Sequence, residues 1–131
     1  MMLYGVNLWA VLCSTASAFV VGALWYSVLF AKPWADVAGR DATVKRPPGV
    51  VYPSVFALNL AASFLFGVLF RDLNGLTELL LAGIGVGVGL VAFSYAINYL
   101  GAGRRARLLF IDGGFQVVRL AVFGLFFGIF R

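Results

Sequence analysis

Asp112, Gln116 and Arg119 are the residues of this 131-residue chain whose types and spacing invite chemistry. At i, i+4 and i+7 they share one face of a helix with about 3.6 residues per turn. The segment that carries them, 108–130, is otherwise apolar. A carboxylate, an amide and a guanidinium on one face can hold a polar solute or an ion. Any proton relay must use Asp112, because a guanidinium does not deprotonate in a protein. An Arg at the centre of a bilayer costs about 2.5–3.5 kcal/mol on insertion scales, so this face must point toward protein or water. Arg119 lies about 10 Å along the axis from Asp112 at ~1.5 Å per residue, too far for an unassisted ion pair. Helical side chains lean toward the N-terminus, which sends Arg119 toward Gln116 and lets Gln116 relay to Asp112. Asn59, Ser94, Tyr95 and Asn98 fall at similar depths elsewhere in the chain and complete an expected polar pocket. Two readings stay open. In one, the stripe fixes helix rotation, with Asp112 interfacial and Arg119 snorkelling; in the other, it is a pathway or binding group.

The elements that must position these residues follow from charge spacing. The chain is 63% hydrophobic and only 11% charged, with a mean hydropathy of +1.00; a soluble domain averages about 25% charged residues. Residues 1–31, 47–70 and 79–103 hold no charge at all. A membrane-crossing helix needs about 20 apolar residues, so the pattern predicts four spans, at about 7–30, 52–70, 79–100 and 108–130. Short connectors make consecutive spans antiparallel neighbours. The expected fold is all-α: one integral membrane four-helix bundle of up-down topology.

Each span carries its own packing signal. In the first, Ser14, Ala18 and Gly22 recur every four residues, and Trp9 and Trp25-Tyr26 suit interfacial belts. Lys32 and Pro33 end it. The loop that follows holds Lys32, Arg40, Lys45 and Arg46 against Asp36 and Asp41. Its residues Trp34 to Ala38 are read either as a surface-lying amphipathic turn or as plain solvated loop, and Pro47-Pro48-Gly49 breaks the chain. The second span, with Pro53 in its first turn, holds Asn59 and the small pair Ser63 and Gly67. Asn74-Gly75 supplies a turn, and Thr77 is placed to cap the third span. That span contains Gly83, Gly85, Gly87 and Gly89, two overlapping GxxxG spacings that permit close helix approach. The last span has its own pair, Gly124 and Gly128. A strand reading of the glycine alternation fails, since a lone strand leaves its backbone unsatisfied in lipid.

Seven Lys and Arg lie in the loops after spans one and three, against Arg71 and Arg131 on the other side. The positive-inside rule then places both loops in the cytoplasm and both termini outside. The net charge of +5 is thus explained by topology and by anionic headgroups, for which Arg104, Arg105 and Arg107 are candidates. No surface remains for nucleic acid. Cys13 stands alone, so no internal disulfide forms. There is no His, hence no imidazole base and no His-ligated metal. No Ser has an evident base partner, and the glycine run lacks a phosphate-loop lysine. Neither enzyme activity nor a cofactor or metal is expected. Small four-span multidrug exporters need a carboxylate in the first span, and this chain has none there.

Two stretches resemble a known family. At the start stand Val6-Asn7-Leu8-Trp9-Ala10-Val11, Ala18-Phe19 and Gly22-Ala23-Leu24-Trp25-Tyr26-Ser27, with Phe30 and Trp34. Near the end stand Asn98-Tyr99-Leu100 and Leu109-Phe110-Ile111-Asp112-Gly113-Gly114-Phe115. Together they resemble a bacterial family of small membrane proteins, domain of unknown function seventeen-sixty-one. The family usually has Pro where Val28 stands and Tyr-His where Phe115-Gln116 stand, so no role of that His transfers. The resemblance implies a four-span protein of the bacterial cytoplasmic membrane and supplies no activity. The expected function is a non-enzymatic accessory or scaffolding component, packing in the lipid bilayer with itself as a homo-oligomer or with other subunits of a larger complex. The alternative is a small-solute or ion transporter that uses the Asp112–Gln116–Arg119 stripe.

Overall fold

The computed structural model describes residues 2–29 and 48–130. Within them the chain is built from four long helices: α1 (Leu8–Leu29), α2 (Pro48–Leu69), α3 (Leu76–Ala102) and α4 (Ala106–Ile129). At ~1.5 Å per residue each exceeds the ~30 Å hydrocarbon thickness. All four are apolar enough to cross a membrane, which makes this a multi-pass, all-α membrane protein. The basic loop after α1, including Trp34 to Ala38, lies outside the described residues.

A small hairpin precedes the bundle. Strands β1 (Met2–Leu3) and β2 (Val6–Asn7) pair antiparallel across Tyr4 and Gly5, both with positive φ. Two positive φ values suit a tight two-residue turn. Val6 is fully buried. Asn7 caps α1: its Oδ1 accepts the Trp9 N–H at 2.9 Å. Its amide donates to the Phe130 carbonyl at 3.3 Å, so the hairpin is tied to the end of α4.

Helix ends differ from expectation in two places. α2 begins at Pro48 rather than near Tyr52, which places Pro53 in its second turn. Thr77 does not cap α3; Gly75 occupies the cap, extended and without a side-chain hydrogen bond, and Thr77 lies in the first turn. At the far end Gly103 takes a left-handed φ of 71° and stops the helix. Two stretches are wound wider than an α-helix, Trp25–Leu29 and Gly87–Ala92. Such a turn shifts the face of whatever follows it; beyond the second one, Tyr95 and Tyr99 are turned onto α4.

α4 is the central helix. α3 lies along one side and α1 along another, while α2 packs on α1 and reaches α4 through side chains. The core is Val6, Ala10, Val11, Ala18, Phe66, Leu79, Leu120, Phe123 and Phe127. Phe66 of α2 sits 6.0 Å from the Phe123 ring and 5.8 Å from that of Phe127. The four-residue spacings are used as contacts. Ser63 hydrogen-bonds Ser14 across α1 and α2 at 2.6 Å, and Gly67 admits Phe127 and Val6, which a methyl there would strike at 2.7 Å.

The glycines of α3 divide by face. A Cβ built on Gly83 would lie 2.2 Å from the Leu120 carbonyl oxygen, and one on Gly87 would lie 2.9 Å from the Val117 Cα. In return, a Cβ on Gly124 would lie 2.2 Å from the Leu79 carbonyl oxygen, and one on Gly128 would lie 2.9 Å from the Leu76 Cα. Two of the three GxxxG pairs, Gly83/Gly87 and Gly124/Gly128, therefore serve the α3–α4 contact within one chain. Gly85 and Gly89 have nothing within 4 Å and lie on the outer face of α3.

Candidate functional site

Three helices, α1, α2 and α3, bring polar groups to the face of α4 that carries Asp112, Gln116 and Arg119. Asp112, six residues into α4, stands at the end of the bundle where α1 finishes and α3 turns into α4. Its Oδ1 accepts the Tyr26 hydroxyl of α1 at 2.7 Å. Its Oδ2 accepts the Tyr99 hydroxyl of α3. Both oxygens are thus held by donors from neighbouring helices, the arrangement an ionised carboxylate needs when it leaves water. Trp25 reinforces the same joint: its indole N–H donates to the Ile111 carbonyl at 3.0 Å. Arg104, just outside, places its guanidinium 5.4 Å from the centre of the Tyr99 ring.

One turn deeper, Gln116 joins the layers. Its amide donates to the Tyr95 hydroxyl at 3.3 Å, and its Oε1 accepts the Arg119 Nη1 at 2.9 Å. Arg119 also donates through Nε to the Asn59 Oδ1 of α2, and its guanidinium lies 5.0 Å from the centre of the Phe123 ring. Asn59 is buried and anchored by its own amide to the Val55 carbonyl at 3.1 Å. The Tyr95 and Tyr99 rings meet edge to face at 5.7 Å. The result is a polar ladder from Tyr26 and Asp112 through Tyr99, Tyr95 and Gln116 to Arg119 and Asn59.

Arg119 leans toward Gln116 as expected, but Gln116 does not pass the contact to Asp112. Tyr95 takes the Gln116 amide, and two tyrosines take the carboxylate. Among the described residues no carboxylate bonds to Arg119. Asn98 is exposed, away from the ladder. Ser94 is also exposed and folds back on the Leu90 carbonyl. Arg105, at the cap of α4, and Arg107, in its first turn, are exposed. The sequence does not single out Tyr26 and Tyr99, although Tyr95 and Tyr99, four apart, mark one helix face.

A cavity of about 380 Å³ adjoins the ladder. It opens between the end of α1 and the start of α2, and α4 supplies its floor with Phe115 and Gln116. Its walls include Phe19, Gly22, Tyr26, Tyr52 and Asn59, and its lining is mostly apolar. The small Gly22 leaves room for Phe115, whose ring would sit 3.1 Å from a methyl at that position. Among the described residues no group of three His, Cys, Asp or Glu side chains is placed to hold a metal.

Helices of this length and polarity, tied together by an internal polar ladder, define a multi-pass membrane protein. The chain belongs to the family described as protein of unknown function (DUF1761), which matches residues 9–128. No curated protein and no solved structure matches it.

Proposed function

We propose that this protein is a non-enzymatic accessory or scaffolding component of the bacterial cytoplasmic membrane, with both termini outside. One observation carries the reading: each polar side chain of the α4 face is engaged by another helix, Asp112 by Tyr26 and Tyr99, Gln116 by Tyr95, and Arg119 by Asn59. A group on a transport pathway must exchange partners with what passes. Groups held this way instead fix the rotation and depth of four helices, which suits a rigid module that others dock on. The docking partner is a second copy or another membrane subunit. The outer face of α3, with Gly85 and Gly89 open and Leu81, Ile84 and Val88 exposed beside them, supports that role. Anionic headgroups at Arg105 and Arg107 fit the same picture.

The test is a photocrosslinking residue at Leu81 or Val88, activated in native membranes. Discrete protein adducts identified by mass spectrometry are expected; adducts to lipid alone at both positions count against the scaffold. The second reading, a small-solute or ion transporter, draws its support from the cavity beside Gln116 and Asn59.

A further inference from the structure

We infer that the cavity between α1 and α2 is a binding site for a lipophilic monoanion, an alkyl chain ending in an acid group. The inference concerns binding rather than flux, and it does not depend on the scaffold reading. Three features of the chain lead to it.

The first is charge. Arg119 is a cation inside a membrane-spanning helix, and among the described residues it bonds to two neutral amides and to no carboxylate. A cation within a membrane-spanning segment and without a counter-charge is the costly case; pairing with an anion reduces that cost. Asp112 does not serve, because the two tyrosines hold it elsewhere. The second is access. The two amides that touch the guanidinium, Asn59 and Gln116, are themselves cavity-lining residues. Arg119 stands directly behind these two amides and does not itself line the cavity, so an acid head seated against them lies one side chain away from the guanidinium and is drawn by its charge. The third is shape. The cavity volume, about 380 Å³, lies in the ~300–1,000 Å³ range of small-molecule sites. Its walls are aromatic edges: Phe19 and Tyr52 meet at 6.1 Å, and Tyr26 and Phe115 at 5.4 Å. Such walls take an alkyl chain and offer it no hydrogen bond. An apolar body with one anionic end is the ligand that uses all three.

A free fatty acid and an acidic phospholipid both carry such an acid, and the experiment separates them. The full chain, with Trp9→Phe and Trp34→Phe so that Trp25 is the sole reporter, is placed in nanodiscs of zwitterionic lipid. Trp25 suits the purpose because its ring lies 6.2 Å from that of Phe115, on the cavity floor. The probes are ω-bromododecanoate and the uncharged ω-bromododecanol, both of which quench indole. Saturable quenching is expected from the acid at a concentration lower than that of the alcohol by about tenfold or more, as the attraction of a nearby guanidinium for a carboxylate provides. Val55→Phe, which fills the cavity without removing a ladder side chain, should abolish saturation for both probes. Arg119→Gln should erase the acid's advantage. Acidic phospholipid added to the nanodisc should displace the acid if the membrane's own lipid is the occupant, and leave it bound if a free fatty acid is; either supports the anion site. Equal affinity for acid and alcohol, or quenching that rises linearly without saturating, overturns it. So does saturation undiminished in Val55→Phe, a variant whose folding is checked independently by its far-ultraviolet circular dichroism.

Discussion

Replacing Gly83 and Gly85 by Ala, two residues apart on one helix, should change stability in opposite directions. A methyl on Gly83 would sit 2.2 Å from the Leu120 carbonyl oxygen, where an ordinary contact is at least 3.4 Å. The α3 and α4 backbones must therefore separate locally by about 1.2 Å, the difference of those two distances. The obstruction is backbone, which cannot rotate aside as a side chain can. Overpacking of this kind costs about 1–3 kcal/mol, and the rigid neighbour argues for the upper end. Ala also gains about 0.8–1 kcal/mol over Gly in helix propensity. The net for Gly83→Ala is a loss of about 2 kcal/mol. Gly85 has nothing within 4 Å, so its Ala variant keeps only the propensity gain, roughly 1 kcal/mol. Equilibrium unfolding in mixed micelles of mild detergent and dodecyl sulfate, followed by circular dichroism, measures both. Equal shifts for the two variants, or a greater loss at Gly85, would refute the assignment of faces. Gly124→Ala should behave like Gly83→Ala, since its methyl would lie at the same distance from the Leu79 carbonyl oxygen.

Two further outcomes follow from the ladder and one from the distribution of charge between the loops. Tyr26→Phe and Tyr99→Phe should each cost about 1.5–3 kcal/mol, the worth of a hydrogen bond to a charged group, and each loss should shrink when combined with Asp112→Asn in the same unfolding assay. Asn59→Leu and Arg119→Leu should couple strongly in a double-mutant cycle, whereas Asp112→Asn and Arg119→Leu should add to within about 0.5 kcal/mol, because their partners are distinct. For orientation, a reporter active only outside the cytoplasm should work when fused after Arg131 and fail when inserted at Ala42; the reverse pattern would overturn the charge count.

Much of the architecture is legible in the sequence, because lipid imposes length and polarity constraints that composition alone reveals. The four spans and the inward face of α4 come from this, and Asn59 falls at the depth of Arg119 for the same reason. The tyrosines were not legible as partners of Asp112. Near a helix end, Tyr26 and Tyr99 satisfy an interfacial belt as well as a half-buried carboxylate, and only the approach of α1 and α3 to α4 decides between them. The glycine run poses a similar ambiguity. Gly83/Gly87 and Gly85/Gly89 have identical spacing but lie on nearly opposite faces of a helix with about 3.6 residues per turn, so sequence offers two registers and packing selects one. Thr77 shows a third limit: a capping residue type is informative only once the helix start is known, and here the helix starts at Leu76. The pairing of Arg119 with Asn59 rather than with Asp112 depends on where α2 crosses α4, which no local pattern encodes.

The most direct test of whether the α4 face is a structural tie is flux through reconstituted vesicles. Wild type and Asp112→Asn should be inserted at equal density, with assembly confirmed for each, and challenged with a broad panel of ions and small polar solutes. A carboxylate held by Tyr26 and Tyr99 to fix the helices predicts no movement above protein-free vesicles for either form. Flux through wild type that disappears in a correctly assembled Asp112→Asn protein would contradict the account and make the stripe a pathway.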